Sequence, residues 1–451
     1  AAYKAAEFTG HWKEGRPLDT VPRGSWWEVF GDTSLNQLEA QALQSNPGFQ
    51  AALARVEESR ATARVARGAL LPSLAANPRF VRQGYSPNQV PSFGNLTAST
   101  LSTPLDLSYE VDLWGRVRRG FESARDEAQA SFAALNTVLL TLQADVAQNY
   151  FTLRALDAEI ATVSGSVNLR REQVRLVRFR EENGLGNALE IAQAETELAN
   201  AEAEAASLAK HRDELENALA LLTGANPSDF KLAPLTEVGW NVPPPSIPAG
   251  LPAELLERRP DVAEAERQLA AANAKIGIAK ASFFPVLTLT GSGGFLSADV
   301  DTLFNWNSRT WSIGPSLSLP IFAGGRNRAN YRRAQAAHEE AIAHYRERVL
   351  VAFGEVESSL SGIRHLAERA SAQERAVSSS RQAANLADDR YRAGASGYLE
   401  VVDADREALT AERAGAQLAG QRLVAAVQLI KALGGGWTER ELFAAVGGNA
   451  R

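Results

Sequence analysis

Two long stretches of the chain place apolar residues every three or four positions. In the first, Leu139, Leu142, Val146, Tyr150, Leu153, Leu156 and Ile160 share one helical face; in the second, Val349, Phe353, Val356, Leu360 and Ile363 do. No proline lies between Pro104 and Pro227, and none follows Pro320. Both stretches are dense in Ala, Glu, Gln, Leu and Arg, strong helix formers. Each breaks once, at Asn183-Gly184-Leu185-Gly186 and at Ala393-Gly394-Ala395-Ser396-Gly397. Two helical hairpins are therefore predicted, each with a first helix of about 65 residues, roughly 95–100 Å long. Helices of that length suit a protein that bridges a distance. Past the second break Val402, Leu409, Ala416, Leu423 and Ile430 fall on every seventh position, the spacing of a coiled coil.

Elsewhere the period is two. Over 101–113 the odd positions are Leu101, Thr103, Leu105, Leu107, Tyr109, Val111 and Leu113, against Ser102, Pro104, Asp106, Ser108, Glu110 and Asp112. Residues 311–322 alternate likewise, with Trp311, Ile313, Leu317, Leu319 and Ile321 on one face, and 73–82 and 284–296 read as two weaker strands. This pattern fits membrane β-barrel strands, and alternation alone favours the half-buried strands of a soluble sheet over them. Four strands cannot close a barrel, and a barrel in lipid must close. The membrane reading therefore requires several chains, and three would supply twelve strands.

The pattern also occurs twice. RGALLPSL at 67–74 matches KASFFPVL at 280–287, an offset of 213, and Asn46-Pro47 and Arg259-Pro260 open the runs into each copy. Downstream, Trp114-Gly115-Arg116-Val117-Arg118 pairs with Gly324-Gly325-Arg326-Asn327-Arg328 at an offset of 210, as Leu189-Glu190-Ile191 does with Leu399-Glu400-Val401. A nearly constant offset implies two copies of one structural unit. The expected division is an N-terminal extended segment 1–24, a first repeat 25–228, a Pro-rich connector 229–252, a second repeat 253–437 and a tail 438–451.

Composition narrows the chemistry. The 451 residues carry a net charge of -6 and show no basic stripe, so nucleic acid is not an expected partner. No run of eighteen apolar residues suggests a membrane helix. Cysteine is absent, which excludes disulfides, iron–sulfur clusters and thiolate metal sites. Methionine is absent too, and the chain starts at Ala1, so either a removed leader or a trimmed N-terminus is expected. His11, His211, His338, His344 and His365 show no metal-ligand spacing, and no nucleophile–base pair stands out. Neither a metal nor a cofactor nor an enzymatic activity is expected. Gly291-Ser292-Gly293-Gly294 lacks the Lys and Ser/Thr of a phosphate loop and is expected to end or bend a strand. Glu195, Glu197, Glu202 and Glu204 read as a solvated helix face.

Three segments carry a family resemblance: TPLDLSYEVDLWGRVRR (103–119), ELLERRPDVAEAERQLAAANAKIGIAKASFFPVLTLTGSGGF (254–295) and LIKALGGGW (429–437). They resemble the outer-membrane efflux family, and within it the multidrug, TolC-like branch. The resemblance spans about residues 25 to 437. It implies a mainly α fold with a membrane β-barrel: a homotrimer with a twelve-stranded barrel in outer-membrane lipid and a long helical barrel in the periplasm of a Gram-negative cell. The implied partners are a periplasmic adaptor (membrane fusion) protein and an inner-membrane efflux transporter. The implied function is passive exit of drugs or other small toxic compounds. Type I protein secretion or metal-ion efflux on the same fold, and a soluble coiled-coil scaffold, remain alternatives. Many relatives carry a lipid on an N-terminal cysteine, so any such anchor would lie upstream of Ala1.

The resemblance also implies site residues. The two breaks become the periplasmic tips, with Gly184, Gly186, Gly394 and Gly397 permitting close contact with the adaptor. Leu399, Asp403 and Arg406 match the constriction and its latch, Glu400 and Asp403 an acidic selectivity ring, and Glu190 lies beside the first tip. On sequence alone the same acids suit a solvated helix start, where the macrodipole favours them.

Overall fold

The computed structural model describes residues 24–86, 88, 97–235, 240, 242–247 and 258–435. Most of the expected N-terminal segment, the tail 438–451, Trp437 and parts of the connector lie outside the described residues.

The elements recur at the offsets of the sequence motifs. Helices α1 (Thr33–Ser45) and α2 (Pro47–Gly68) precede strands β1 (Ser73–Ala76), β2 (Arg79–Gly84) and β3 (Thr97–Val111). The first hairpin is α3 (Arg116–Glu182) and α4 (Ala188–Leu222). Then come α5 (Pro260–Ala281), β4 (Val286–Ser297), β5 (Arg309–Ser318) and the second hairpin, α6 (Arg326–Arg392) and α7 (Tyr398–Ala432). The long helices α3 and α6 each have 67 residues, and α4 and α7 each have 35. By length and composition α3 contains a stretch apolar enough to cross a bilayer; half of that stretch is buried within the protein, as in a core helix.

Contacts divide the chain into two compact units that cut across the repeat. One comprises Ala1–Leu53, Ala133–Ala263 and Arg348–Arg451; the other comprises Ala54–Phe132 and Glu264–Glu347.

In the first unit, Trp26, Trp27, Leu35, Leu38 and Ala42 pack against Leu142, Val146, Tyr150 and Leu153 of α3. Leu219 of α4 and Leu423, Val427 and Ile430 of α7 complete this core. Each large side chain buried there contributes roughly 1.5–3 kcal/mol. Asp32 fixes the position of α1: one oxygen accepts from Ser34 N (2.8 Å) and Leu35 N (3.1 Å), the other from the Tyr150 hydroxyl (2.6 Å). Both repeats close in the same way, with the residue before a proline tying off a hairpin. Asn46 caps α2 and donates to Leu222 O at the end of α4 (2.9 Å). Arg259 donates to Ala432 O at the end of α7 (3.0 Å) and pairs with Asp261 (2.7 Å) and Glu355 (2.6 Å).

The second unit holds the sheet, antiparallel throughout: β3 pairs with β4 and β4 with β5, while β1 and β2 share the other side of β3. The expected strand 73–82 is thus broken in two. The break faces Pro104, which has no N–H to give the ladder, and contains Pro78, which has none either. Strand 311–322 runs instead over 309–318, because Pro320 ends the ladder and leaves Leu319 and Ile321 outside it. Strand 101–113 is observed at 97–111, and 284–296 at 286–297.

Register decides the faces. Leu74, Leu107, Gly291 and Ile313 lie in one row across the sheet, Ala76, Leu105, Gly293 and Trp311 in the next, and Val111, Leu287 and Leu317 in another. The opposite face carries Ser73, Ser108, Thr290 and Gly314, then Ala75, Asp106, Ser292 and Ser312. Apolar and polar residues largely separate in these rows, and the apolar residues are exposed: Ile313 is 82% accessible, Trp311 75% and Leu317 67%. Gly291-Ser292-Gly293-Gly294 sits inside β4 rather than ending it, since both neighbouring ladders continue past it. Gly294 is required there because a Cβ would strike the Thr103 carbonyl and lie 2.8 Å from Pro104 Cα.

Candidate functional site

Both hairpin tips end their first helix with a left-handed glycine. Gly184 (φ 74°) donates to Glu181 O (2.9 Å) and Leu185 N to Arg180 O (2.8 Å). Gly394 (φ 75°) donates to Tyr391 O (2.9 Å) and Ala395 N to Arg390 O (2.8 Å). This paired bonding satisfies the last carbonyls and needs a residue without Cβ. Gly186 is constrained differently: a Cβ there would lie 3.1 Å from Glu181 N. Three of the four expected docking glycines therefore shape their own turns. Gly397, the N-cap of α7, meets open space. The exposed apolar groups of the tips are Leu185, Leu189 and Leu399, at 69%, 66% and 56% accessibility.

The two hairpins meet just behind the tips. Val174, Val177 and Ala194 of the first pack with Tyr391, Tyr398, Val401 and Val402 of the second. The Tyr391 and Tyr398 rings lie 5.5 Å apart, and the Arg180 guanidinium sits 4.5 Å over Tyr391 while donating to its carbonyl (3.2 Å). The Tyr391 hydroxyl donates to Glu190 (3.3 Å), so Glu190 belongs to the contact between hairpins. Burial, together with the Glu190 charge, raises the Tyr391 pKa, and burial with Asp405 nearby pushes Tyr398 up to about 12.

One turn further from the tip lies an ionic cluster. Glu197 of α4 is buried, not solvated as its Glu-rich surroundings suggest: it pairs with Arg170 of α3, itself buried, and with Arg406 of α7. Arg170 also donates to the Glu197 carbonyl (3.0 Å). Burial pushes the Glu197 carboxyl up, but the two arginines outweigh it and hold the pKa below the usual value. Glu195, Glu202 and Glu204 are also paired, with Arg178, Arg171 and Arg413. Asp405 accepts from Gln173 (2.6 Å), and burial keeps its pKa raised despite that bond.

Of the expected gate residues, the structure brings Arg406 and Asp403 together at 3.9 Å and puts Glu400 at 3.9 Å from Arg390. Leu399 and Asp403 are exposed. Glu197, Arg170, Arg180, Gln173, Tyr391 and Tyr398 join the site only in the structure. The tyrosines left a trace: at the 210-residue offset they replace Glu181 and Ala188, a departure from the repeat where the hairpins touch.

Comparison with known proteins agrees with this geometry. The family model described as outer membrane efflux protein matches residues 38–225 and again 251–435. Pyoverdine export outer membrane protein OpmQ of Pseudomonas aeruginosa is 36% identical, over 91% of this chain and 87% of its own length. Toluene efflux pump outer membrane protein TtgI of Pseudomonas putida is 34% identical, over 91% and 87%. The crystal structure of outer membrane protein VceC from Vibrio cholerae superposes with a TM-score of 0.85 at 29% identity, covering 93% of this chain and all of that one (100%). The chain belongs to the outer membrane efflux protein family, and its place is the outer membrane.

Proposed function

We propose that the protein is the exit duct of a three-part efflux pump, working as a homotrimer that passes small organic compounds outward without chemistry of its own. The observation that carries this reading is the sheet. Its apolar face is exposed, its two edges are unpaired within the described chain, and it contributes the equivalent of four strands. Three chains would close those edges into a barrel of twelve strands and satisfy every edge N–H and C=O, as lipid demands. OpmQ and TtgI are named for pyoverdine export and toluene efflux, which supports small organic cargo.

The tips supply the two remaining functions. Leu185, Leu189 and Leu399 with Gly397 form an exposed apolar surface for a periplasmic adaptor, which in turn joins an inner-membrane transporter. Leu399, Glu400 and Asp403 face solvent on α7, where threefold repetition would narrow the duct and line it with negative charge. The Arg170–Glu197–Arg406 cluster is the latch. Arg170 and Glu197 are both buried, so their pair is the permanent half; Arg406 is 53% accessible and is the half that can let go. Because water reaches the Arg406 end, this half costs less to break than the fully buried one, and a partner can release it. The experiment is conductance in planar bilayers. Weakening the latch should raise it, whereas a closed, unchanging channel in every latch variant would refute the gate.

A further inference from the structure

At the helix-proximal end of the sheet, where β1 and β4 begin and β3 and β5 end, cations collect without partners. Arg67 of α2, Lys280 of α5 and Arg326, Arg328, Arg332 and Arg333 of α6 are all exposed, and none makes an ion pair or side-chain hydrogen bond with another described residue. The two acids at this end of β3 are already neutralised: Glu110 by Arg116 and Asp112 by Arg118. The four α6 arginines occupy a helix start, where the macrodipole favours acids, so the helix gives no reason for them. Register puts all six cations at one end, because Val286 faces Ser318, Leu287 faces Val111 and Ser73 faces Ser108.

The same end carries exposed apolar and aromatic groups. Ile321 and Phe322 are 93% and 90% accessible. Trp114 stacks on Phe284 at 4.7 Å while its indole donates to Pro285 O (2.8 Å), fixing an amphipathic ring at the strand ends. An apolar band, then aromatic rings with polar handles, then unpaired cations is the sequence of layers at a membrane–water boundary. Long cationic side chains there hold their stems against lipid and their charges at the headgroups.

We propose that this collar binds the phosphodiester headgroups of anionic phospholipids in the leaflet facing the periplasm. The proposal rests on the outer-membrane barrel reading. On α6 the arginines fall on two faces, Arg326 with Arg333 and Arg328 with Arg332, so either face offers a pair whose geometry and charge match phosphate, and each cation near a lipid surface favours anionic over neutral lipid. The ligand is a membrane lipid, not free phosphate, because the cations border an exposed apolar band that only a lipid would cover.

The test uses the whole chain in detergent, titrated with phosphatidylglycerol or phosphatidylcholine of equal acyl length, with bound lipid counted by native mass spectrometry. We expect phosphatidylglycerol to be preferred by at least about fivefold, a preference weakened by molar salt and untouched by inorganic phosphate. Arg326→Gln, Arg328→Gln, Arg332→Gln and Arg333→Gln together should remove the preference, and lysine at the same four positions should keep it. Arg82→Gln, at the loop end of the sheet, should change nothing. Equal binding of the two lipids by the unaltered chain, or an undiminished preference in the four-glutamine variant, overturns the collar. Displacement by inorganic phosphate overturns the lipid assignment. A separate arm adds the chain to phosphatidylcholine vesicles: failure to insert would refute the barrel reading, whereas insertion without lipid preference refutes only the collar.

Discussion

At the residue scale, two carboxyls beside the tips work in opposite directions. The Glu197 pKa is lowered in the folded tip, so its contribution is present above the ordinary carboxylate range and is lost as pH falls through the folded value. The Asp405 pKa is raised, so its contribution is fully present at low pH and is lost as pH rises through the folded value. Once ionised, Glu197 therefore helps to hold the hairpins together while Asp405 loosens them. Asp405→Asn keeps an acceptor for Gln173 and removes the charge. It should lower open probability and flatten its rise with pH above the ordinary carboxylate range in bilayer recordings; an unaltered pH profile would count against the assignment. Asp403→Ala with Arg406→Ala should raise single-channel conductance and reduce cation selectivity. Arg170→Ala should do more harm, because it strips the buried partner from Glu197, a loss of about 3–5 kcal/mol in comparable buried pairs. If thermal melting showed Arg406→Ala to be as damaging as Arg170→Ala, the division into permanent and labile halves would be wrong.

At the element scale, the sequence announces helices and strands far better than it announces the site. Leu142, Val146, Tyr150 and Leu153 fall on one helical face and are buried together, because burial itself selects that spacing. Strand ends were less legible. Proline decides them through missing donors at Pro78, Pro104 and Pro320, and alternation carries on past the last ladder bond into Leu319 and Ile321. The Arg170–Glu197 pair was hidden for another reason. Both residues sit among many exposed Arg and Glu, and only the approach of α4 to α3 separates the buried pair from the solvated ones. Arg406 and Asp403 were found through the family resemblance, as were the glycines of the tips, three of which also shape their own turns. The docking test therefore belongs at Gly397, where a side chain meets open space. Gly397→Trp should abolish drug resistance while leaving membrane assembly intact, and retained resistance would move the adaptor surface elsewhere. In the sheet, Leu107→Arg or Leu317→Arg puts a charge on the apolar face and should cost roughly 2–4 kcal/mol per chain near the bilayer midplane. Normal yields of either variant in the outer-membrane fraction would mean that this face does not meet lipid.

At the scale of the whole molecule, one chain is incomplete as a barrel. Among the described residues its sheet has an apolar face and two unpaired edges, each a row of backbone groups that lipid cannot satisfy. Duplication halves the difficulty by giving each chain two copies of a strand pair and a hairpin, and threefold assembly would supply the rest. The assembled mass tests this most directly. Protein extracted from outer membranes in mild detergent should run in native mass spectrometry at about three times the 48.5 kDa of the chain, and fall to single chains only when the barrel is denatured. A 48.5 kDa species in mild detergent, or extraction of the folded chain without any detergent, would contradict the account.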